Sequence, residues 1–179
     1  MATIDVDAEL AGLDLCLEAL VEAYHLDPAA ALVRVPSISG WSVAEHFYHL
    51  CLATDLALRN VQSLVREKGR LITEEGGPNE LAEEVLSLGT FPRGKSQAPR
   101  MVQPPEQIDP ALLLQELGLL QESVVRTRAI LGQVTAAPNR IPHQRLGNLD
   151  AGQWLRFAHL HAAHHLEIIR DLVQARSRD

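Results

Sequence analysis

Apolar residues recur at intervals of three and four along four long stretches of this chain, the spacing that keeps them on one face of an α-helix. The first, about Asp7 to His25, repeats Leu10, Leu13, Leu17, Leu20 and Val21 and stops before Asp27-Pro28, as a helix does ahead of proline. The second opens at "GWSVAEHFYHL", where Ser42 and Glu45 have the spacing of a capping box. It is expected to run to about Lys68 and end at Gly69, where a left-handed cap is unstrained. The third starts at Asp109-Pro110, a capping side chain followed by proline at the first helical position. It reads through Leu113, Leu117, Leu120, Val124 and Ile130 to about Val134. The fourth begins at "LDAGQW", with Asp150 and Gln153 again spaced as a capping box, and continues to about Ala175. No strand-like alternation of useful length and no internal repeat interrupts this pattern. The expected fold class is all-α, a four-helix bundle.

The connection from about Arg70 to Ile108 is long for a compact domain. It holds Gly76-Gly77-Pro78, a short helical pattern over Glu80 to Leu88, and the proline-rich "FPRGKSQAPRMVQPPEQ". Such a length points to a working loop or to a crossover between the ends of a bundle. The chain's 179 residues suit one domain, 1–179, with a real core. Aromatic residues are only 4%, so that core must be built from Leu, Val, Ala and Ile. The formal charge of −7 argues against a nucleic-acid partner, since phosphate binding rests on clustered Lys and Arg. No stretch reads as a signal sequence, a membrane span or a basic amphipathic surface helix. Cys16 and Cys51 fall within helical patterns and read as reduced core thiols. Together these features imply a cytoplasmic protein without a membrane partner.

What changes the picture is histidine. Four of the eight lie in "FAHLHAAHHLEII": His159, His161, His164 and His165. Trp154, Ala158, His161, His165, Ile168 and Leu172 form one continuous stripe on the fourth helix, so His161 and His165 face inward one turn apart. Two imidazoles at i, i+4 can offer two nitrogens to one metal ion, or can simply be hydrogen-bonded core residues. His164 borders the stripe, and His159 turns toward a neighbouring helix or solvent. A third histidine, His49, lies two turns inside the second helix, with His46 three residues earlier. A bundle can bring His49 opposite His161 and His165, giving three neutral nitrogens and an open coordination position, the arrangement of a working zinc-type site. A di-iron carboxylate site is excluded by spacing, because Glu22-Ala-Tyr-His25 is the only Glu-x-x-His and such sites use two. Glu45 could orient His49, but its capping position favours a structural role. His143 reads as a turn or rim residue, and Trp41 and Trp154 as packing at the bundle end.

Two blocks carry a family likeness. "GWSVAEHFYHL" resembles the Trp-Ser/Thr-x-x-Glu-x-x-x-His-Leu start of helix two in the DinB-like (damage-inducible) superfamily, which includes the bacillithiol- and mycothiol-dependent transferases. "IPHQRLGNLDAGQWLRFAHLHAAHHLEII" resembles its last-helix block, and "FPRGKSQAPRMVQPP" the loop of one branch. The resemblance implies an up-down-down-up bundle with a long crossover loop between helices 2 and 3, often a homodimer. It implies a divalent ion, zinc or nickel, on His49, His161 and His165. Characterised branches use a thiol cofactor against an electrophile. At Ile168 the chain departs from its branch, where a glutamine commonly follows the histidines.

Three neutral imidazoles would leave an ion's charge intact, making it a Lewis acid. A low-molecular-weight thiol attacking a small-molecule electrophile and a hydrolysis are both open to such a site. The absence of a general base near the histidines favours thiol transfer. A stress-response bundle that binds metal or ligand without turnover is the third reading. No catalytic residue beyond the metal ligands is assigned.

Overall fold

The computed structural model describes residues 3–93 and 97–176. Five α-helices, α1 (Val6–Leu26), α2 (Val43–Arg66), α3 (Glu80–Leu88), α4 (Pro110–Arg128) and α5 (Ala151–Arg176), carry most of the described chain. The four long ones correspond to the four periodic stretches. Their starts follow the local chemistry. Asp5 accepts from the Ala8 amide at 3.1 Å. Ser42 and Glu45 close a reciprocal capping box. Asp109 caps α4 with Pro110 at its first position, and Asp150 and Gln153 exchange backbone–side-chain bonds of 3.0 and 2.8 Å.

Two ends differ from the sequence expectation. Helix α2 closes at Glu67, which takes the left-handed conformation itself (φ 52), two residues before Gly69. The Lys68 amide returns to the Ser63 carbonyl at 3.0 Å and seals the turn there, so the preference for glycine was overridden by tertiary placement. Helix α4 stops at Arg128 rather than near Val134. Ile130 leaves the helical region (φ −115, ψ 7), and a 3-10 segment over Leu131–Ala136 follows, burying Val134.

Helix α5 packs against α1 on one side and α2 on the other, and α2 packs against α4. The shared interior is aliphatic: Leu10, Leu13 and Leu20 of α1, Leu58 and Leu64 of α2, Leu113 and Leu120 of α4, and Leu155 and Ile169 of α5 are all within 1% of full burial. Each such side chain contributes about 1.5–3 kcal/mol by leaving water. Phe47 is fully buried among them. No helix among the described residues is long and apolar enough to cross a membrane.

The strand-free expectation is corrected by a small antiparallel hairpin, β1 (Ile141–His143) paired with β2 (Gly147–Leu149). It is stitched to the start of the long connection that follows α2. Thr73 and Arg140 exchange backbone bonds of 2.9 and 2.8 Å, and the Asn148 amide bonds to the Gly77 carbonyl at 2.9 Å. Gly147 sits at φ +76, and a Cβ there would stand 2.6 Å from the Gly77 carbonyl oxygen. Only glycine allows this approach. The long connection between α2 and α4 contains the expected short helical pattern over Glu80 to Leu88. That pattern is α3, and a 3-10 turn at Arg100–Val102 follows, with Val102 buried. Within its loop "FPRGKSQAPRMVQPP", residues 94–96 lie outside the described residues.

Candidate metal centre

Helices α2 and α5 bring three histidines together. His49 Nε2 lies 3.4 Å from His161 Nε2, which lies 3.2 Å from His165 Nε2. The nitrogens these residues offer all fall within 4.8 Å of one another. For a tetrahedral ion with metal–nitrogen distances of 2.0–2.1 Å, neighbouring ligand nitrogens stand about 3.3 Å apart. Two edges of the cluster therefore already have the length an ion requires. Among the described residues, no carboxylate or thiol belongs to the cluster. The donor set fits a divalent transition-metal ion, which imidazole suits.

The protonation states fit as well. Burial lowers the pKa of His49, and it lowers His161 and His165 well below the ordinary imidazole value, with the neighbouring imidazoles pushing in the same direction. All three are therefore neutral at physiological pH, as metal ligation demands. His49 Nδ1 donates to the Val102 carbonyl at 2.7 Å. A carbonyl only accepts, so the proton resides on Nδ1 and the lone pair on Nε2 faces the cluster.

The surroundings are aromatic. Trp41 lies against three imidazoles: its ring centre is 5.1 Å from His49, 5.4 Å from His46 and 6.5 Å from His165, the last nearly parallel at 21°. Phe157 stacks on His161 at 5.3 Å and 13°, and Phe91, just after α3, meets His161 edge-on at 6.1 Å. His46 is 3% exposed and reaches His165 Nδ1 with its own Nδ1 at 2.9 Å, while its Nε2 meets Ser39 Oγ at 2.9 Å.

A family model described as the DinB superfamily matches residues 13–169. The chain belongs to the DinB superfamily. No curated protein and no solved structure matches it. Within this DinB-superfamily fold, Ile168 packs half-buried against the core and offers no polar atom to the histidines. Their outer partners are instead the Val102 carbonyl and His46.

The other candidates separate clearly. Glu45 does not orient His49: its carboxylate closes the capping box and holds Arg34, with Nε at 2.8 Å. His143 ends β1, and its Nδ1 accepts from the Arg145 and Leu146 amides of the hairpin turn at 3.2 Å each. Trp154 donates to the Ile141 carbonyl at 3.3 Å and ties the hairpin to α5. His164 borders the cluster, its ring 5.3 Å from His165 and 6.0 Å from Phe91. His159 faces α1, where its Nδ1 donates to Glu9 at 2.7 Å. Cys16 and Cys51 are free thiols, and burial pushes Cys51 up to about 12.

Sequence reasoning assigned Trp41 to packing alone and gave His46 no role. A tryptophan one residue before the helix cap, followed by an extra histidine one turn ahead of His49, was the available signal. The Val102 carbonyl left no signal, since every residue carries one.

Proposed function

We propose that the protein binds one divalent ion, zinc or nickel, through His49, His161 and His165, and that the loaded site promotes attack of a low-molecular-weight thiol on a small electrophile. The observation that carries this reading is the triad of neutral imidazole nitrogens at ligand spacing, free of any carboxylate. An ion held only by neutral donors keeps its full charge and supplies Lewis acidity. The chain's own residues hold and shield the place. Val102 fixes the tautomer of His49, Trp41 covers His49 and His165, and Phe91 and Phe157 enclose His161, limiting water.

Thiol transfer is preferred over hydrolysis because, among the described residues, no carboxylate joins the triad as a general base, and the buried His46 is committed to His165 and Ser39. Glu45, the nearest acidic candidate on α2, is committed to Arg34 and to the helix cap. A thiolate brings its own nucleophile, so the site needs fewer protein groups. The family likeness supports an up-down-down-up arrangement, homodimer formation and a small-molecule substrate, and two free cysteines support a reducing cytoplasm.

Elemental analysis of the purified protein, paired with a thiol-dependent conjugation assay on activated aryl halides and epoxides, tests the proposal. The expected result is about one zinc or nickel per chain and conjugation that requires both added thiol and bound metal. Thiol-independent ester cleavage would move the reading to a hydrolase. Bound metal with neither activity would make the protein a binding bundle.

A further inference from the structure

The hydrogen-bond chain behind His165 has a direction, and only one direction lets His165 serve the triad. His165 Nδ1, His46 Nδ1, His46 Nε2 and Ser39 Oγ follow one another at 2.9 Å per step, apart from the covalent step across the His46 ring. Each neutral imidazole has one N–H and one bare nitrogen. If Ser39 donates to His46 Nε2, then His46 Nδ1–H donates to His165 Nδ1, and the remaining proton of His165 sits on Nε2, blocking the lone pair. If His165 Nδ1–H donates instead, His46 must accept on Nδ1 and pass its own Nε2–H to Ser39. The second arrangement frees His165 Nε2.

Ser39 is placed to hold that second arrangement. Its hydroxyl has two acceptor positions and one donor. The Trp41 amide takes one acceptor position at 3.1 Å, and His46 Nε2–H takes the other. The half-buried Ser39 can send its own proton outward. His46, 3% exposed, has no such access to water, so its ring must satisfy both nitrogens inside the protein. Trp41 packs on both rings and restricts their rotation.

We propose that His46 is a positioning residue for the metal site: with Ser39 behind it, it accepts from His165 and holds that ligand in the tautomer whose Nε2 faces the ion. A neutral imidazole here does the work that a carboxylate or carbonyl does behind most metal-bound histidines. The inference rests on the triad reading above and adds two residues to it.

Zinc affinity of the full chain, measured by competition with a chromophoric chelator, tests it together with nitrogen-15 NMR of the histidine rings in the zinc-loaded protein. His46→Leu removes the acceptor and is expected to weaken zinc binding about 10–100-fold, the range for loss of an outer partner. His46→Asn, with an amide oxygen near the Nδ1 position, recovers most of that loss. Ser39→Ala weakens binding and Ser39→Thr does not. In the spectra, His165 carries its proton on Nδ1 and His46 on Nε2, a signature that a purely structural role for His46 would not require. The spectra use the parent chain, so they decide the question even if His46→Leu fails to fold. Unchanged zinc affinity in folded His46→Leu, or a proton on His46 Nδ1 in the loaded parent, overturns the proposal while leaving the triad intact. A parent chain that binds no zinc or nickel removes the triad reading, and this inference with it.

Discussion

Helix α5 presents histidines on two sides, one side neutral and the other positively charged. Toward α2, His161 and His165 meet other imidazoles and aromatic rings, and burial lowers both well below their ordinary pKa. Toward α1, His159 lies beside Cys16 and Glu9, whose contacts raise it to about 9. Glu9 also receives Arg156, which in turn donates to the Leu86 carbonyl of α3 at 2.7 Å. Two residues of helix, about half a turn, thus separate an uncharged cluster fitted to receive a cation from a charged residue that is itself the cation. Histidine type says nothing about which role is played. The neighbours decide, through burial on one side and Cys16 with the Glu9 carboxylate on the other.

The largest effect that could break this contrast is on metal content. His161→Ala is expected to weaken zinc binding by more than about 100-fold, beyond what loss of an outer partner produces. His159→Ala, two residues away, leaves the metal in place and lowers only stability. Equal metal content in the two folded variants would show that the two sides are not distinct.

Stability against pH sharpens the contrast in metal-free protein. Burial lowers His46 and His143 to about 4, whereas the unfolded chain takes up these protons near 6.5. The unfolded state then binds more protons, so stability falls as pH drops from about 6.5 toward 4. These two groups alone account for a loss on the order of 5 kcal/mol. His159 works in the other direction. Its raised pKa contributes stability that is full below about 6.5 and is lost as pH rises through about 9. Urea midpoints between pH 4 and 10 should therefore decline at both ends, and Glu9→Gln should weaken the alkaline decline, with the Cys16 contact retaining part of it. A flat profile below pH 6.5 would contradict the neutral, buried cluster.

The smallest effect concerns Gly12. A Cβ built there overlaps the His159 ring at Cε1 and Nε2. Gly→Ala inside a helix ordinarily stabilises by about 1 kcal/mol. Here the ring must move off Glu9, so Gly12→Ala is expected to destabilise by roughly 1–2 kcal/mol. Made in a His159→Ala background, the same change should stabilise. Chemical denaturation of the four proteins forms the cycle, and additive effects would mean that the ring does not rest on Gly12.

How much of this was legible depended on how local the cause is. Helix starts at Ser42, Asp109 and Asp150 were readable because cap and capped amide lie within three residues. The end of α4 was not, since Ala129-Ile130 contains neither glycine nor proline, and the break follows from burial of Val134. The hairpin escaped because its strands are three residues each, one with Pro142 inside, and its partners lie near residues 73 and 77. At the site, periodicity placed His161 and His165 on one face, and the family blocks pointed to His49. Their supports were hidden. Ser39 and His46 are read only once α5 lies across α2, and the Glu9–His159 bond spans 150 positions.

The Val102 contact has a consequence for mutational tolerance. Because the atom that orients His49 is a main-chain oxygen, no exchange of the side chain at 102 deletes it. Substitutions at the exposed Arg100, Met101 and Gln103, and apolar exchanges at buried Val102, should be absorbed so long as the chain keeps its course. A one-residue insertion or deletion between Pro99 and Gln103 would instead carry the oxygen away from the ring. This stretch therefore has fixed length but free spelling, and random libraries should recover many letters there and almost no indels.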